Sequence, residues 1–316
     1  MRSGSPPVLG ASAPAGGDLT RIAPLGIGLG YQVQLRDYIE SRSDRFDFLE
    51  VVPDILWTDL GLGAKPRYRD LAEGVAFIRD VARVKPVIPH SIGLSIGSAH
   101  RYEREHVAQM ARWFEWLRFP WHSDHLAFHL TEGTPRELNL NLTMPVTFDP
   151  ETLDLVARRV RDVQRRIAVP FLIENNVAYF EYPESTLDEA GFLNALTAAT
   201  GCGLLLDLHN LHTNARNLGV DPRAFLDRLD LDRVVEIHVA GGLEFEGFYL
   251  DAHSGASPEP VWALLDDVLP RCRNLGGVVF ELFGSWFDEL GEAGLDRQLG
   301  RMRELWAKHR ALPVAA

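Results

Sequence analysis

The chain has 316 residues, a formal net charge of −12, a hydrophobic fraction of 46% and a charged fraction of 24%. This composition is ordinary for a globular protein, and the length suits either two average domains or one α/β barrel. The acidic balance argues against non-specific nucleic-acid binding, and no run reaches the roughly 18 apolar residues of a membrane span, so neither nucleic acid nor membrane is an expected partner.

The cysteine count predicts the cellular compartment, and the composition of the first residues predicts where the folded domain begins. Cys202 and Cys272 are the only cysteines, too few for a disulfide framework, so a reducing cytoplasm is expected. Residues 1–18 are rich in Ser, Pro, Gly and Ala and lack the apolar core of a signal peptide. We interpret 1–18 as a disordered leader and 19–316 as one catalytic domain.

Strand-like and helix-like segments alternate along the chain. Eight apolar runs predict strands, several of them continuously apolar as in parallel sheets, at 25–30, 46–52, 86–93, 121–128, 170–174, 203–208, 234–240 and 277–282. Amphipathic stretches predict helices at 68–83, 103–118, 150–166, 188–199, 222–229, 258–272 and 286–309. The segment 31–45 is only weakly helical, and the long connection 129–149 predicts a hairpin or a lid.

This alternation predicts a single (β/α)8 TIM barrel of the α/β class. A doubly wound sheet is the competing topology, and it would need a glycine-rich phosphate turn. The run GIGLG at 26–30 is a poor match, because Tyr31 stands where the third glycine of GxGxxG belongs. In a TIM barrel the carboxyl ends of all eight strands meet on one face, where the chemistry takes place.

Residue types that bind metals recur at or just after the predicted strand ends. They are His90, Asp124, Glu174, Asp207, Asn210, His238, Asp251, His253 and Glu281. Carboxylates and imidazoles that converge on one buried face need cations to compensate them. We therefore predict a polynuclear metal centre. Mixed carboxylate and imidazole ligands without thiolates suit iron, manganese or zinc, and oxygen-rich sets favour iron or manganese.

The sequence does not decide which residue of the fourth predicted strand is the metal ligand. Neighbouring strand residues point to opposite faces, so either Asp124 or His125 faces the mouth of the barrel. Asp124 is preferred, with His125 and His122 as alternatives.

Other positions also have alternatives. His238 lies inside an apolar run, where a histidine is more often a hydrogen-bonded core residue, and Glu174 could pair with an arginine. His209 and His212 compete as ligands with the residues beside them. Glu50 ends the second strand and is either a partner of a ligand or part of the barrel floor.

Six segments together resemble the motifs of one family. They are HSIGLSIGS (90–98), SDHLAF (123–128), FLIENN (171–176), GCGLLLDLHNL (201–211), EIHVAGG (236–242) and LDAHSG (250–255). They resemble signature segments of the DUF692 family, whose members are multinuclear non-haem iron-dependent oxidative enzymes. The resemblance covers about residues 25–285. The barrel and ligand order are also similar to those of apurinic-site endonucleases and xylose-isomerase-like proteins.

The resemblance implies a TIM barrel with two or three mixed-valent Fe(II)/Fe(III) ions and O2 as co-substrate. It implies metal ligands at the nine positions above, four of them catalytic: His90, Asp124, Asp207 and His253. It further implies oxidation of a ribosomal precursor peptide, usually at cysteine, and a separate partner protein that presents the peptide. The chain departs from the family pattern at Asp124, where glutamate is common, and at LEVVPD (49–54), where many relatives have Pro-Glu-Asn.

Three other functions would fit the same metal-binding barrel. A metal-dependent hydrolase or endonuclease would need a basic track, which the net charge opposes, although the arginines of 158–166 could form a local patch. A sugar isomerase would work without oxygen. A metal-binding module for a peptide partner would have no product.

Overall fold

The computed structural model describes residues 19–133 and 138–310. It contains eight parallel barrel strands: β1 (Gly26–Gly30), β2 (Phe48–Val51), β3 (Val87–Ser91), β4 (His122–His125), β5 (Phe171–Glu174), β6 (Gly203–Asp207), β7 (Val234–Ala240) and β8 (Gly277–Glu281). Each strand pairs with its sequence neighbour, and β1 pairs with β8 to close the barrel. The predicted (β/α)8 barrel is confirmed. The predicted leader, residues 1–18, lies outside the described residues.

The strands are buried on both faces, which explains their continuous apolar runs. All seven residues of β7 are buried. At the amino-terminal end of the barrel, the Phe48 ring fills the interior because Gly28 and Gly277 have no side chains. A Cβ atom at Gly28 would lie 2.5 Å from Phe48 Cζ. The barrel therefore has a packed floor, and its space for ligands is at the other end.

Nine helices lie in the described part of the chain: α1 (Arg36–Ser41), α2 (Ala72–Val81), α3 (Arg104–Leu117), α4 (Pro150–Arg166), α5 (Glu189–Thr200), α6 (Leu208–Leu218), α7 (Pro222–Arg228), α8 (Glu259–Val268) and α9 (Phe287–Arg310). The sequence prediction missed α6, because its polar run LHNLHTNARNL contains weak helix formers. Asp207 compensates by capping α6: its carboxylate accepts hydrogen bonds from the next helical amides. The long helix α9 is interrupted at Gly291, whose φ is 67°.

Short hairpins follow three barrel strands at their carboxyl ends. They comprise Trp57–Asp59 with Tyr68–Asp70, Ala127–Thr131 with Leu138–Pro145, and Leu243–Phe245 with Phe248–Leu250. The second is the hairpin expected at 129–149. It begins inside the run 121–128 predicted as one strand, since that run divides into β4 and the first hairpin strand. Within the described residues, no helix is both long and apolar enough to cross a membrane.

Candidate metal centre

The strand register places two pairs of cluster residues directly opposite each other. His125 on β4 is opposite Glu174 on β5, and Asp207 on β6 is opposite His238 on β7. Glu281 is the last residue of β8. Because the carboxyl ends of parallel strands share one face, these side chains meet at the mouth of the barrel.

The first group of side chains surrounds Glu174. Glu174 Oε2 lies 3.3 Å from His90 Nε2 and 3.2 Å from His125 Nε2. Glu174 Oε1 lies 4.0 Å from His238 Nδ1. The side chains of His90, Glu174 and His238 are almost fully buried and place ligand atoms within 4.8 Å of one another.

The second group is formed by Asp207, His253 and Glu281, which also place ligand atoms within 4.8 Å of one another. His253 Nε2 lies 3.7 Å from Glu281 Oε2 and 3.1 Å from Asp251 Oδ1. The same Glu281 oxygen lies 3.0 Å from His238 Nδ1, which belongs to the first group. One carboxylate therefore reaches both groups, as a ligand bridging two cations would.

Further contacts fix the imidazole rings around this centre. His90 Nδ1 lies 2.9 Å from Ser123 Oγ, and His238 Nε2 lies 3.0 Å from Glu50 Oε2. In each ring one nitrogen is held by a neighbour and the other faces the cluster, an arrangement typical of metal-binding histidines. Glu50 thus contacts a predicted ligand, one of the two roles considered for it.

Asp251 is positioned by aromatic side chains from the loop after β5, from α6 and from the hairpin after β7. Its Oδ1 lies 2.8 Å from His209 Nδ1, and its backbone amide donates to Tyr179 Oη at 3.2 Å. His209 Nε2 is in turn 3.4 Å from Tyr249 Oη. The sequence prediction missed both tyrosines, since their contacts with Asp251 and His209 cross 72 and 40 residues of chain and leave no local pattern.

Hydrogen bonds at the start of α6 orient two further candidate ligand atoms, Asp207 Oδ2 and Asn210 Oδ1. Asp207 Oδ1 accepts hydrogen bonds from the amides of His209 and Asn210, at 2.6 and 2.8 Å. The Asn210 side-chain amide donates to Glu174 Oε1 at 3.3 Å. These bonds leave Asp207 Oδ2 and Asn210 Oδ1 buried, with no hydrogen bond to any described residue.

The donor set fits metal ions. Asp207 Oδ2, Asn210 Oδ1 and Glu174 Oε2 are buried acceptors without a hydrogen bond among the described residues. The nearby imidazoles of the first group point toward Glu174 Oε2 without satisfying hydrogen-bond geometry, so the ligand atoms converge without bonding one another. Burying such atoms is costly unless cations bind them. Oxygen and imidazole donors suit iron, manganese or zinc.

The pKa values of the cluster residues also indicate that the site favours positively charged ligands. Burial raises the pKa of Glu174 well above its usual range, and burial with repulsion from Asp251 and Glu281 raises the pKa of Asp207 to about 6. Burial alone would lower the pKa of His253, but the carboxylates of Asp251 and Glu281 outweigh it and raise that pKa to about 10. At neutral pH the Glu174 carboxyl and the His253 imidazole therefore hold protons that metal ions would displace.

His253 adopts a rare backbone conformation, with φ at 43°. Its carbonyl accepts a hydrogen bond from the Phe283 amide at 3.0 Å, and its ring packs 4.6 Å from the Phe283 ring. A non-glycine residue in this region stores strain that its surroundings must hold. These contacts aim the imidazole into the cluster.

The structure does not bring Asp124 to the cluster. On β4 the interior positions are Ser123 and His125, whereas Asp124 and His122 face a small cavity against α3 and α4. There Asp124 Oδ1 accepts from the His125 amide at 2.8 Å, and burial raises the Asp124 pKa well above its usual range. His125, the alternative considered from sequence, is the β4 residue that lies beside Glu174 in the cluster. His212 likewise packs against Tyr249, away from the cluster.

The fold defines a class, the TIM-barrel proteins, and the cluster at the mouth of the barrel is compatible with metal binding. A more specific assignment comes from comparison with known sequences. The family model "RiPP precursor modification enzyme MbnB/TglH/ChrH" matches residues 26–282. The chain belongs to this family, also called DUF692, as its six motifs indicated.

Individual relatives agree with the family match. The chain is 32% identical over 293 residues to a UPF0276 protein of Streptomyces avermitilis, covering 92% of this chain and 57% of that protein. It is 34% identical over 223 residues to a UPF0276 protein of Chromobacterium violaceum, covering 71% of this chain and 78% of that one. The chain therefore spans little more than half the length of the Streptomyces relative.

Solved structures share the barrel at low sequence identity. D-psicose 3-epimerase from Clostridium cellulolyticum H10 superposes with a TM-score of 0.54 at 14% identity, covering 90% of this chain and 98% of the epimerase. A xylose isomerase-like TIM barrel protein from Mycobacterium smegmatis, in complex with magnesium, gives 0.52 at 14% identity and the same coverage. At this identity the likeness shows the fold alone.

Proposed function

We propose that this protein is a multinuclear iron- and O2-dependent oxidase that modifies a ribosomally synthesised precursor peptide, at cysteine. Membership of a family of precursor-modifying enzymes supports a peptide-modifying role in general. The observation that carries the finer proposal is the position of Glu281 Oε2, 3.0 Å from His238 Nδ1 and 3.7 Å from His253 Nε2. A carboxylate shared by two ligand groups favours more than one metal ion.

We assign the metal ligands as the cluster residues: His90, His125, Glu174, Asp207, Asn210, His238, Asp251, His253 and Glu281. Asp124 is replaced by His125, and His90, Asp207 and His253 stay proposed catalytic residues. When bound, iron would supply the one-electron chemistry with O2 that no side chain of the chain can perform. The side chains of the cluster would balance the charge of the iron ions. The surrounding residues would orient the imidazoles and keep water from the buried side of the centre.

The thiol to be modified would come from another molecule. Burial raises the pKa of Cys202 to about 11 and that of Cys272 to about 12, so neither thiol ionises readily. Both are buried and neither belongs to the ligand groups. The centre is thus built entirely from oxygen and nitrogen donors, which leaves a soft thiolate to the substrate. Two free thiols also suit the cytoplasmic location that we propose.

The mouth of the barrel favours a peptide over a sugar. Large apolar side chains follow the ends of several strands and are 40–57% exposed: Ile92, Phe180, Phe245, Phe248 and Phe283. Such a rim can bury the side chains of a peptide. Sugar hydroxyls would instead require a dense set of polar partners.

The hairpin after β4 supports the proposed peptide-presenting partner. Leu138, Leu140 and Leu142 alternate along one strand and are 53%, 40% and 55% exposed. Alternate residues share one face of a strand, so these leucines form an apolar stripe beside the mouth. We propose that the partner protein docks on this stripe.

The test uses iron-loaded protein, the partner and the cysteine-containing peptide encoded nearest this gene. We expect mass spectrometry to show a mass change at cysteine that requires O2. A peptide with serine in place of cysteine is the control and should stay unchanged. Equal product in the absence of O2, or with zinc in place of iron, would contradict the proposal.

A further inference from the structure

A second cavity lies beside the proposed metal centre, and of the described residues that line it only Phe180 belongs to the rim described above. It has a volume of about 540 Å³ and lies between the hairpin after β4, the loop after β5 and helices α6 and α7. Its walls are mainly apolar and include Leu126, Val146, Phe148, Leu218 and Phe225. A cavity of this size and character accepts a long side chain.

Two asparagines connect this cavity to the centre. Asn176 follows the proposed ligand Glu174 by two residues, and Asn214 lies one helical turn after the proposed ligand Asn210. Asn214 Nδ2 donates to the Asn176 carbonyl at 3.0 Å, and its Oδ1 accepts from the Ala178 amide at 2.7 Å. The cavity wall is therefore fixed to the ligand-bearing segments, roughly 7 Å of extended chain from Glu174.

Two polar residues in the cavity wall, Asn176 and Glu189, carry acceptor oxygens. Asn176 is 5% exposed, and its buried Oδ1 has no hydrogen bond to any described residue. Beside it, the Glu189 carboxyl is bonded by the Asn176 backbone amide, and burial raises the pKa of Glu189 to about 8. A buried acceptor without a donor is costly, so Asn176 Oδ1 indicates a ligand that donates hydrogen bonds, and the Glu189 carboxyl beside it offers a second acceptor.

The surrounding charges indicate a cationic donor. The exposed carboxylates of Glu181 and Asp221 also line the cavity. Among the described residues of its lining, the one arginine is Arg228, which is paired with Asp188. An aliphatic stem would pack against the apolar walls, and a charged head would reach Asn176 and Glu189. A charge-assisted hydrogen bond is also stronger than a neutral one.

We propose that this cavity is a specificity subsite that binds a basic side chain, arginine or lysine, of the peptide substrate. This inference rests on the proposed function, because it assumes that a peptide lies across the barrel mouth. When the residue to be modified lies at the metal centre, the basic residue in the subsite would be close to that residue in the peptide sequence. The subsite would fix the register of the peptide.

The test measures binding without turnover. Capped arginine amide and capped norleucine amide, which has a similar stem without the charge, are titrated into the full-length protein and followed by ligand-observed NMR. Glu189→Gln replaces the carboxyl group by an amide that cannot ionise beside a bound cation, and Ala224→Trp fills the cavity from an exposed helical position. Glu151→Gln is the control, because Glu151 is likewise a glutamate in the first turn of its helix, α4, and it does not line the cavity.

We expect arginine amide to bind about tenfold more tightly than norleucine amide, since a hydrogen bond to a charged group contributes about that much. Glu189→Gln should remove this preference, Ala224→Trp should abolish binding, and Glu151→Gln should change neither. Equal binding of both probes, or arginine binding unchanged in Glu189→Gln and Ala224→Trp, would overturn the subsite. Because no turnover is read, failure of the oxidase proposal would leave these results intact and would appear separately in metal content and product mass.

Discussion

The two halves of the barrel interior are built from the same strands and differ sharply in chemistry. Ile88, Leu172, Leu205 and Val279 pack in the floor, and each lies two residues before a proposed ligand. Because side chains alternate along a strand, residues two apart point to the same interior. On these four strands, the interior residue two positions closer to the carboxyl end is therefore a cluster imidazole or carboxylate and no longer an apolar core side chain.

Glu236 is the exception in the lower half. It lies two residues before His238, and its Oε2 accepts a hydrogen bond from Trp121 Nε1 at 2.9 Å. Burial and repulsion from Glu50 raise the pKa of Glu236 to about 8, so it is mainly neutral at pH 7. The carboxyl of the floor is thus held as the neutral acid, whereas at the mouth the imidazoles of His238 and His253 lower the pKa values of Asp251 and Glu281 and keep these carboxylates charged. We therefore expect the free energy of unfolding to depend mainly on the floor residues, and metal binding to depend mainly on the residues at the mouth.

The largest effect is expected at the centre of the mouth. His238→Ala removes an imidazole shared by the first ligand group and Glu281, so we expect metal content to fall to about a tenth or less while the fold persists. Metal analysis and circular dichroism measure both. The control is His122→Ala, a buried strand histidine that faces the helices. Full metal content in His238→Ala, or equal loss in both variants, would contradict the assignment.

The floor should behave in the opposite way. Leu205→Ala removes a side chain that is 1% exposed, and we expect it to lower the free energy of unfolding by about 2–5 kcal/mol. Denaturant titration measures this loss. Metal per folded chain should stay at the wild-type value, and a parallel loss of metal would show that the two halves are not separable.

Neighbouring residues of β4 give a sharper test of the boundary. His125→Asn should weaken metal binding by roughly 100-fold, since it removes a ligand near Glu174. Asp124→Asn should retain the metal, because Asp124 faces the helix layer. Competition with a chelator measures both affinities. The reverse ranking would support the ligand first chosen from sequence.

A smaller effect is expected from residues behind the ligands. His209→Ala leaves Asp251 without its 2.8 Å partner, so we expect about 10–100-fold weaker metal binding. His212→Ala, three residues along the same helix, is the control and should leave affinity unchanged. Equal affinities in wild type and His209→Ala would show that Asp251 needs no such support.

The mildest test is the pH dependence of metal binding. Because the pKa of His253 is raised to about 10, its imidazole is protonated at pH 7 and must lose a proton to bind metal. Affinity should therefore rise with pH between 6 and 8, by about tenfold per unit for each proton released. Titration calorimetry in buffers of different ionisation enthalpy counts these protons. A pH-independent affinity would contradict this electrostatic account.

Sequence predicted the barrel well, because continuous apolar runs that end in a polar residue, as in GLLLD at 203–207, carry both the strand and its ligand. It could not choose between Asp124 and His125, because β4 has polar residues on both faces and alternation alone cannot assign them. Helix α6 was missed because capping by Asp207, rather than propensity, starts it. The contact of Tyr179 with Asp251 depends on loop packing that no local pattern encodes.

The central claim is that the mouth of the barrel holds more than one iron ion. The most direct measurement is metal content by mass spectrometry on protein purified without added metal, combined with Mössbauer spectroscopy of an iron-57 sample. We predict two or more irons per chain in a magnetically coupled, mixed-valent state. Zinc or manganese at full occupancy, with only trace iron in repeated preparations, would contradict the account.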